Sequence, residues 1–107
     1  MPRRLKFELI FAPETVDHLD AIERKYHGLI ERTLDEQLSY TPEKETRNRK
    51  PLEPPAPFEA TWELRFGPKN RFRVFYEVDL EDSTVDVLAI GVKEGNRLFI
   101  GGKEILL

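Results

Sequence analysis

Arg47, Arg49 and Lys50 place three positive charges within four residues, and Arg65, Arg71, Arg73 and Lys93 follow in segments that read as β-structure. Arginine grips a phosphate or carboxylate through two parallel N–H···O bonds, and lysine meets the same groups as a point charge. Cations gathered in this way suit a phosphodiester backbone. A solvated loop accounts for the first three equally well, with Glu43 and Glu45 as their partners, and both readings stay open. The remaining chemical inventory is short. The chain has no cysteine, so neither a disulfide framework nor a thiolate metal site is available. Its two histidines, His18 and His27, fall in the helical region and read as surface or boundary residues. Gly101-Gly102 reads as a turn, since no Lys-Ser/Thr pair follows it to make a phosphate cradle. Nothing calls for a metal or a cofactor.

The formal net charge of −3 over 107 residues argues against a general, charge-driven nucleic-acid binder. Charge is unevenly spread, however. Residues 42–73 carry 8 Lys/Arg against 5 Asp/Glu, while residues 1–41 carry 6 against 8 and residues 74–107 carry 3 against 7. A local excess of +3 (8 minus 5) sits between acidic flanks, so an anion-binding surface should draw on that middle third. The length suits a single domain spanning 1–107 with one core. No apolar run is long enough to span a membrane, and the start "MPRRLKFELIFAPE" lacks the apolar region of a secretory signal. The expectation is a soluble, cytoplasmic protein with no membrane partner.

The elements that must position these cations can be read from periodicity. Arg4–Phe11 alternates Leu5, Phe7, Leu9 and Phe11 with charged residues and reads as a strand. Pro13 and Glu14 open a helix whose apolar stripe is Val16, Leu19, Ile22 and Tyr26. Gly28 interrupts that pattern. Leu29, Ile30, Leu34 and Leu38 define a second helix that ends by Pro42, so a helical hairpin is expected. Residues 41–57 form an extended basic and proline-rich connector, in which Pro51, Pro54, Pro55 and Pro57 should forbid both helix and ladder pairing. Then "ATWELRF", "RFRVFYEV", "TVDVLAIGV" and a short "RLFI" read as an antiparallel meander of three to four strands, separated by "GPKN", "DLEDS" and "KEGN" turns. The fold class is α+β, with the helices on one face of the sheet. Trp62, Leu64, Phe72, Val74, Tyr76, Val85 and Val87 should form the covered face. The other face then displays Glu63, Arg65, Arg71, Arg73, Phe75 and Glu77 beside the basic connector, with Phe75 placed to stack on a base.

The order of elements, with "TRNRKPL" ahead of the meander and "WELR", "RFRVFYEVD", "VLAIGVK" and "NRLFIGG" within it, resembles the RelE/ParE superfamily of bacterial type II toxins over nearly the whole chain. The resemblance implies the RelE-like fold and a toxin held inactive by a cognate antitoxin. It implies one of two targets. The RelE-like branch acts on mRNA at the ribosome without metal, and the ParE-like branch poisons DNA gyrase.

Cleavage of RNA without metal needs a base for the 2′-hydroxyl, cations for the phosphate and an acid for the leaving oxygen. Carried over from the RelE-like site, Arg73 retains a strand arginine and Lys93 approximates the arginine after the last long strand; these two are the candidate catalytic residues. The two strand lysines fall on Thr61 and Glu63, and the near-terminal tyrosine falls on Phe99, so the proton-transfer groups are lost. Arg47, Arg49, Lys50, Arg65, Arg71 and Phe75 are the candidate RNA contacts. Two classes of function follow. One is a toxin that inhibits translation by binding or cutting mRNA at the ribosome. The other is a catalytically degenerate module that acts through antitoxin complex formation and promoter co-repression.

Overall fold

The computed structural model describes residues 5–106. These form seven strands and two α-helices: β1 (Glu8–Phe11), α1 (Thr15–Asp20), α2 (His27–Leu38), β2 (Arg49–Pro51), β3 (Trp62–Phe66), β4 (Phe72–Asp79), β5 (Thr84–Glu94), β6 (Arg97–Ile100) and β7 (Lys103–Ile105). The sheet runs β2-β3-β4-β5-β6-β7, each pair antiparallel. β1 joins it in parallel, pairing Glu8 with Thr84 through Phe11 with Val87. β4 occupies one edge of the long β5. Its other edge is divided between β1 at residues 84–87 and β6 at residues 91–94.

The helices cover one face of the sheet. In α2, Ile30, Leu34 and Leu38 recur every four residues and are at most 2% exposed. They pack on Leu64, Phe72, Val74, Tyr76, Val85 and Val87, with Trp62 partly buried beside them, so the expected covered face is the observed one. Each fully buried aliphatic or aromatic side chain contributes roughly 1.5–3 kcal/mol, which makes this the main store of stability. The first helix is much shorter than its pattern predicts. It ends at Asp20, a 3-10 turn follows at Arg24–Tyr26, and Val16 faces solvent. Thr15 and His18 turn inward instead. The break of the hairpin lies there, not at Gly28, which sits in the first turn of α2. The His27 Nε2 lies 2.8 Å from the Leu19 carbonyl and 2.9 Å from that of Ile22, so the imidazole caps the end of the first helical segment. The N-terminal strand likewise begins at Glu8, not at Arg4, and Arg4 itself lies outside the described residues.

Three further features depart from the expected meander. Residues 49–51 do pair with β3, with Pro51 opposite Trp62. β2 is an edge strand, and an edge has a side where a proline's missing N–H is not needed. Next, β4 and β5 change register between Phe75 and Tyr76, which pair with Ala89 and Val87 and leave Leu88 as the extra residue. Finally, Gly101 and Gly102, both at positive φ (62° and 80°), make the tight two-residue turn into β7. The face away from the helices is therefore not bare. Phe75, Ala60, Ala89 and Ile100 form a second apolar cluster there, flanked by Leu52, Leu98 and Ile105.

Candidate anion-binding site

Arg65, Arg73 and Lys93 converge on this second face. Arg65 and Arg73 are direct partners across β3 and β4, and Arg73 faces Gly91 across β4 and β5, two residues before Lys93. Like charges set directly opposite one another repel. Glu63 resolves this: its Oε1 accepts from Arg65 Nε at 2.6 Å and its Oε2 lies 3.4 Å from Arg73 Nη1. Arg73 also donates from Nε to the Asn70 carbonyl at 2.9 Å. Glu63 and Arg73 are only 6% and 8% exposed, and buried charges persist where they are paired. One carboxylate against two guanidiniums leaves an excess of one positive charge. Lys93, half-buried and without an ion pair among the described residues, adds another.

These side chains border a cleft of about 520 Å³, walled on one side by Leu52, Pro55 and Pro57 of the connector and on the other by Leu98 and Ile105. Arg73 and Lys93 also line an adjoining hollow of about 640 Å³ with Lys69, Arg71 and Glu94. Four cations and one acid meet there, at the end of the sheet where β3 turns into β4. Glu104 stands at the rim of the cleft and is held by Arg97 at 2.9 Å, a hydrogen bond that lowers its pKa below the usual carboxylate value.

The other predicted contacts are distributed differently. Arg49 is buried, and its guanidinium donates to the carbonyls of Lys44 and Gln37, to Gln37 Oε1 and to Thr41 Oγ1. It ties the end of α2 to the connector and is not presented to a ligand. Phe75 is 2% exposed and forms the floor of the second cluster, so its ring has no free face for a base. Arg71 points to the helical side, its guanidinium 5.6 Å from the Tyr26 ring centre and 3.9 Å from Glu94, and it lines the adjoining hollow and a smaller one on the helical side but not the cleft. Lys50 pairs with Glu45 at 3.6 Å on the β2 edge. Arg47 is exposed in the connector and does not line the cleft.

At the positions that departed from the RelE-like pattern, Thr61 precedes β3 in the backbone ladder, Glu63 is the carboxylate just described, and Phe99 lies under Arg97. Phe99 lines a smaller hollow on the helical side with His18 and Tyr26. His18 Nδ1 accepts the Ile90 N–H at 3.3 Å, and burial lowers its pKa against the opposing pull of Glu14 and Asp17. The Tyr76 hydroxyl donates to the Pro42 carbonyl at 2.7 Å, and burial raises its pKa well above the ordinary phenol value. Neither group reaches the cleft. Among the described residues, no three His, Cys, Asp or Glu side chains gather as a metal site, and no helix is long and apolar enough to cross a membrane. Sequence reasoning missed Lys69 and the way Glu63 bridges Arg65 to Arg73. The available signal was the spacing of "WELR" and "RFRV" around a four-residue turn, which brings Glu63, Arg65 and Arg73 together.

The family model described as "ParE toxin of type II toxin-antitoxin system, parDE" matches residues 9–96. The chain thus belongs to the ParE toxin family, within the RelE/ParE superfamily of type II toxins. Its fold is similar to that of a chain in the crystal structure of the toxin-antitoxin complex RelBE2 from Mycobacterium tuberculosis. That match has a TM-score of 0.69 and 20% identity, and it covers 87% of this chain and 98% of the other. A comparison with curated proteins finds no match.

Proposed function

We propose that this toxin binds the phosphodiester backbone of single-stranded RNA in the cleft between the connector and β7, and that it inhibits translation by occupying mRNA at the ribosome. A cognate antitoxin is its regulatory partner, as the family membership suggests. The observation that carries the reading is the arrangement of Arg73 and Lys93, shared by the cleft and the adjoining hollow, with Arg65 and Lys69 on either side. A strand crossing from one to the other would keep successive phosphates near a cation while its bases lie against Leu52, Leu98 and Ile105.

The same geometry favours binding over cutting. Glu63 is the acid nearest the two arginines, and both of its oxygens face guanidiniums. Taking up a proton would weaken the pair that places Arg73. Among the described residues, no histidine or tyrosine lines the cleft. Two other carboxylates line the cleft: Glu104 is held by Arg97 at the rim and Glu53 lies on the exposed connector, so neither is paired with Arg73 or Lys93 as a partner to move the 2′-hydroxyl proton. Poisoning of DNA gyrase is a second reading, favoured by the match to the ParE family model.

The deciding experiment induces the chain in a bacterial host with and without Arg73→Ala, maps mRNA 5′ ends and measures gyrase-linked DNA breaks. The expected result is arrest of protein synthesis without new codon-phased ends, relieved at least tenfold by Arg73→Ala. New codon-phased ends would establish cleavage. Breaks trapped on gyrase with translation unaffected would overturn the RNA reading in favour of the second.

A further inference from the structure

One edge of β5 has a gap. β1 pairs there with residues 84–87 and β6 with residues 91–94, so residues 88–90 have no strand beside them among the described residues. His18 of α1 fills the gap, its Nδ1 accepting the Ile90 N–H at 3.3 Å. A buried backbone N–H needs a partner, and here an imidazole supplies what a neighbouring strand would. A neutral ring that accepts through Nδ1 carries its proton on Nε2. The ring has little freedom: it belongs to a residue 7% exposed, and a Cβ built on Gly101 would lie 3.4 Å from its Cδ2.

His18 also meets the connector. The Phe58 ring stands edge-on to the imidazole, with centroids 5.8 Å apart and planes at 62°. Phe58 lies between two buried residues, Pro57, which walls the cleft, and Ala60, which belongs to the second apolar cluster. Phe58 and Glu59 both hold positive φ, 56° and 57°. Non-glycine residues keep such a backbone only where their surroundings over-determine it. Here those surroundings are two turn bonds, from Glu59 N–H to the Ala56 carbonyl and from Ala60 N–H to that of Pro57, and the contact with His18.

We infer that His18 is a positioning residue for the cleft: the neutral imidazole, wedged between the Ile90 N–H and the Phe58 ring, fixes residues 57–60 against the sheet, and a second proton on it releases them and the connector wall they carry. A proton on Nδ1 sets one N–H against another, so the ring must turn away from Ile90 and leave Phe58. The hold stands on this geometry alone, and its consequence for RNA rests on the cleft reading proposed above. The charged groups around the ring are Glu14 and Asp17 beside it in sequence, Glu23, Arg71 and Glu94 around the hollow it borders, and Glu59 next to Phe58. None makes an ion pair with it among the described residues. Burial outweighs the pull of Glu14 and Asp17, so the pKa lies below its ordinary 6.5. The contribution to stability is full above that ordinary value and is lost as pH falls toward the lower one. His27 does not imitate this response, because its Nε2–H serves the Leu19 and Ile22 carbonyls and a second proton leaves that contact intact.

The test follows the full chain from about pH 7.5 to about pH 5, where histidine is the side chain that titrates. Amide protection, corrected for the intrinsic exchange rate, is measured at Glu59, Ala60 and Ile90, alongside affinity for a labelled oligouridylate at fixed salt. Acidification is expected to lower protection at all three amides and to weaken RNA binding, each at least threefold. His18→Asn, which keeps an acceptor near the Nδ1 position and cannot titrate, should abolish both responses. Phe58→Ala should expose Glu59 and Ala60 already at neutral pH while Ile90 stays protected, and this variant decides the matter if His18→Asn does not fold. Protection at Glu59 and Ala60 that ignores both pH and Phe58→Ala, or that responds to pH equally in His18→Asn, would overturn the hold. Protection that moves as expected while RNA binding stays constant with pH would overturn the positioning role. Absence of RNA binding at every pH would overturn the cleft reading, with the amides still deciding whether His18 holds the connector.

Discussion

Arginine serves a buried carbonyl as readily as a phosphate, and its surroundings decide between the two. Arg49 and Arg73 show the difference within one chain. Arg49 spends its donors on Lys44, Gln37 and Thr41, all within the protein. Arg73 donates to Asn70 and lies near one oxygen of Glu63, and its guanidinium borders two hollows. Nothing in "TRNRK" distinguishes its two arginines, because the partners of Arg49 lie 5 to 12 residues away and meet it only after α2 packs. Hydrogen bonds to charged groups contribute about 1.5–3 kcal/mol, and leaving buried carbonyls unpaired carries a further cost. Arg49→Ala is thus expected to lower unfolding free energy by roughly 2–4 kcal/mol in chemical denaturation, while RNA affinity of the remaining folded protein is unchanged. A loss of affinity at unchanged stability would return Arg49 to the binding surface.

Elements were legible where one periodicity held throughout and illegible where it changed. The stripe of α2 and the covered face of β3 and β4 could be read from apolar spacing alone, because each rests on one packed surface. β5 changes phase at Leu88. Val85 and Val87 face the helices before the bulge and Ile90 faces them after it, while Ala89 turns to the second cluster. That shift also aligns Gly91 and Lys93 with Arg73. The second cluster escaped sequence reading because its members come from six separate segments, several of them single residues. Gly91 is the tightest point of this arrangement: a Cβ there would come within 2.8 Å of the Phe99 carbonyl oxygen, a backbone atom that cannot rotate away. Overpacking of this kind typically costs about 1–3 kcal/mol. Gly91→Ala should accordingly lower the unfolding midpoint and speed amide exchange along β6 before β3 or β4. Unaltered exchange in β6 would mean that the hairpin tolerates the displacement.

At the scale of the whole molecule, a chain of net charge −3 must hold an anion against its own field. Beyond roughly 8–10 Å that field is screened at physiological salt, so local charge decides. The cleft and hollow together present Lys69, Arg65, Arg71, Arg73 and Lys93 against Glu53, Glu63 and Glu94, with Glu104 taken up by Arg97. Each of the three acids offsets one cation, which leaves about two effective cations. A single-stranded RNA bound by two should show a slope of roughly −1.4 in log affinity against log salt. Glu63→Gln removes the acid that offsets Arg65 and Arg73. It should steepen the slope by about 0.7 and raise affinity at low salt, even as the loss of a buried ion-pair partner destabilises the fold by about 3–5 kcal/mol. Stability and affinity then move in opposite directions, which no global loosening of the protein would produce. RNA binding measured by fluorescence anisotropy across a potassium chloride series, alongside thermal unfolding of the same variant, reads both. An unchanged slope would mean that Arg65 and Arg73 do not touch the RNA, and the cleft would lose its assignment.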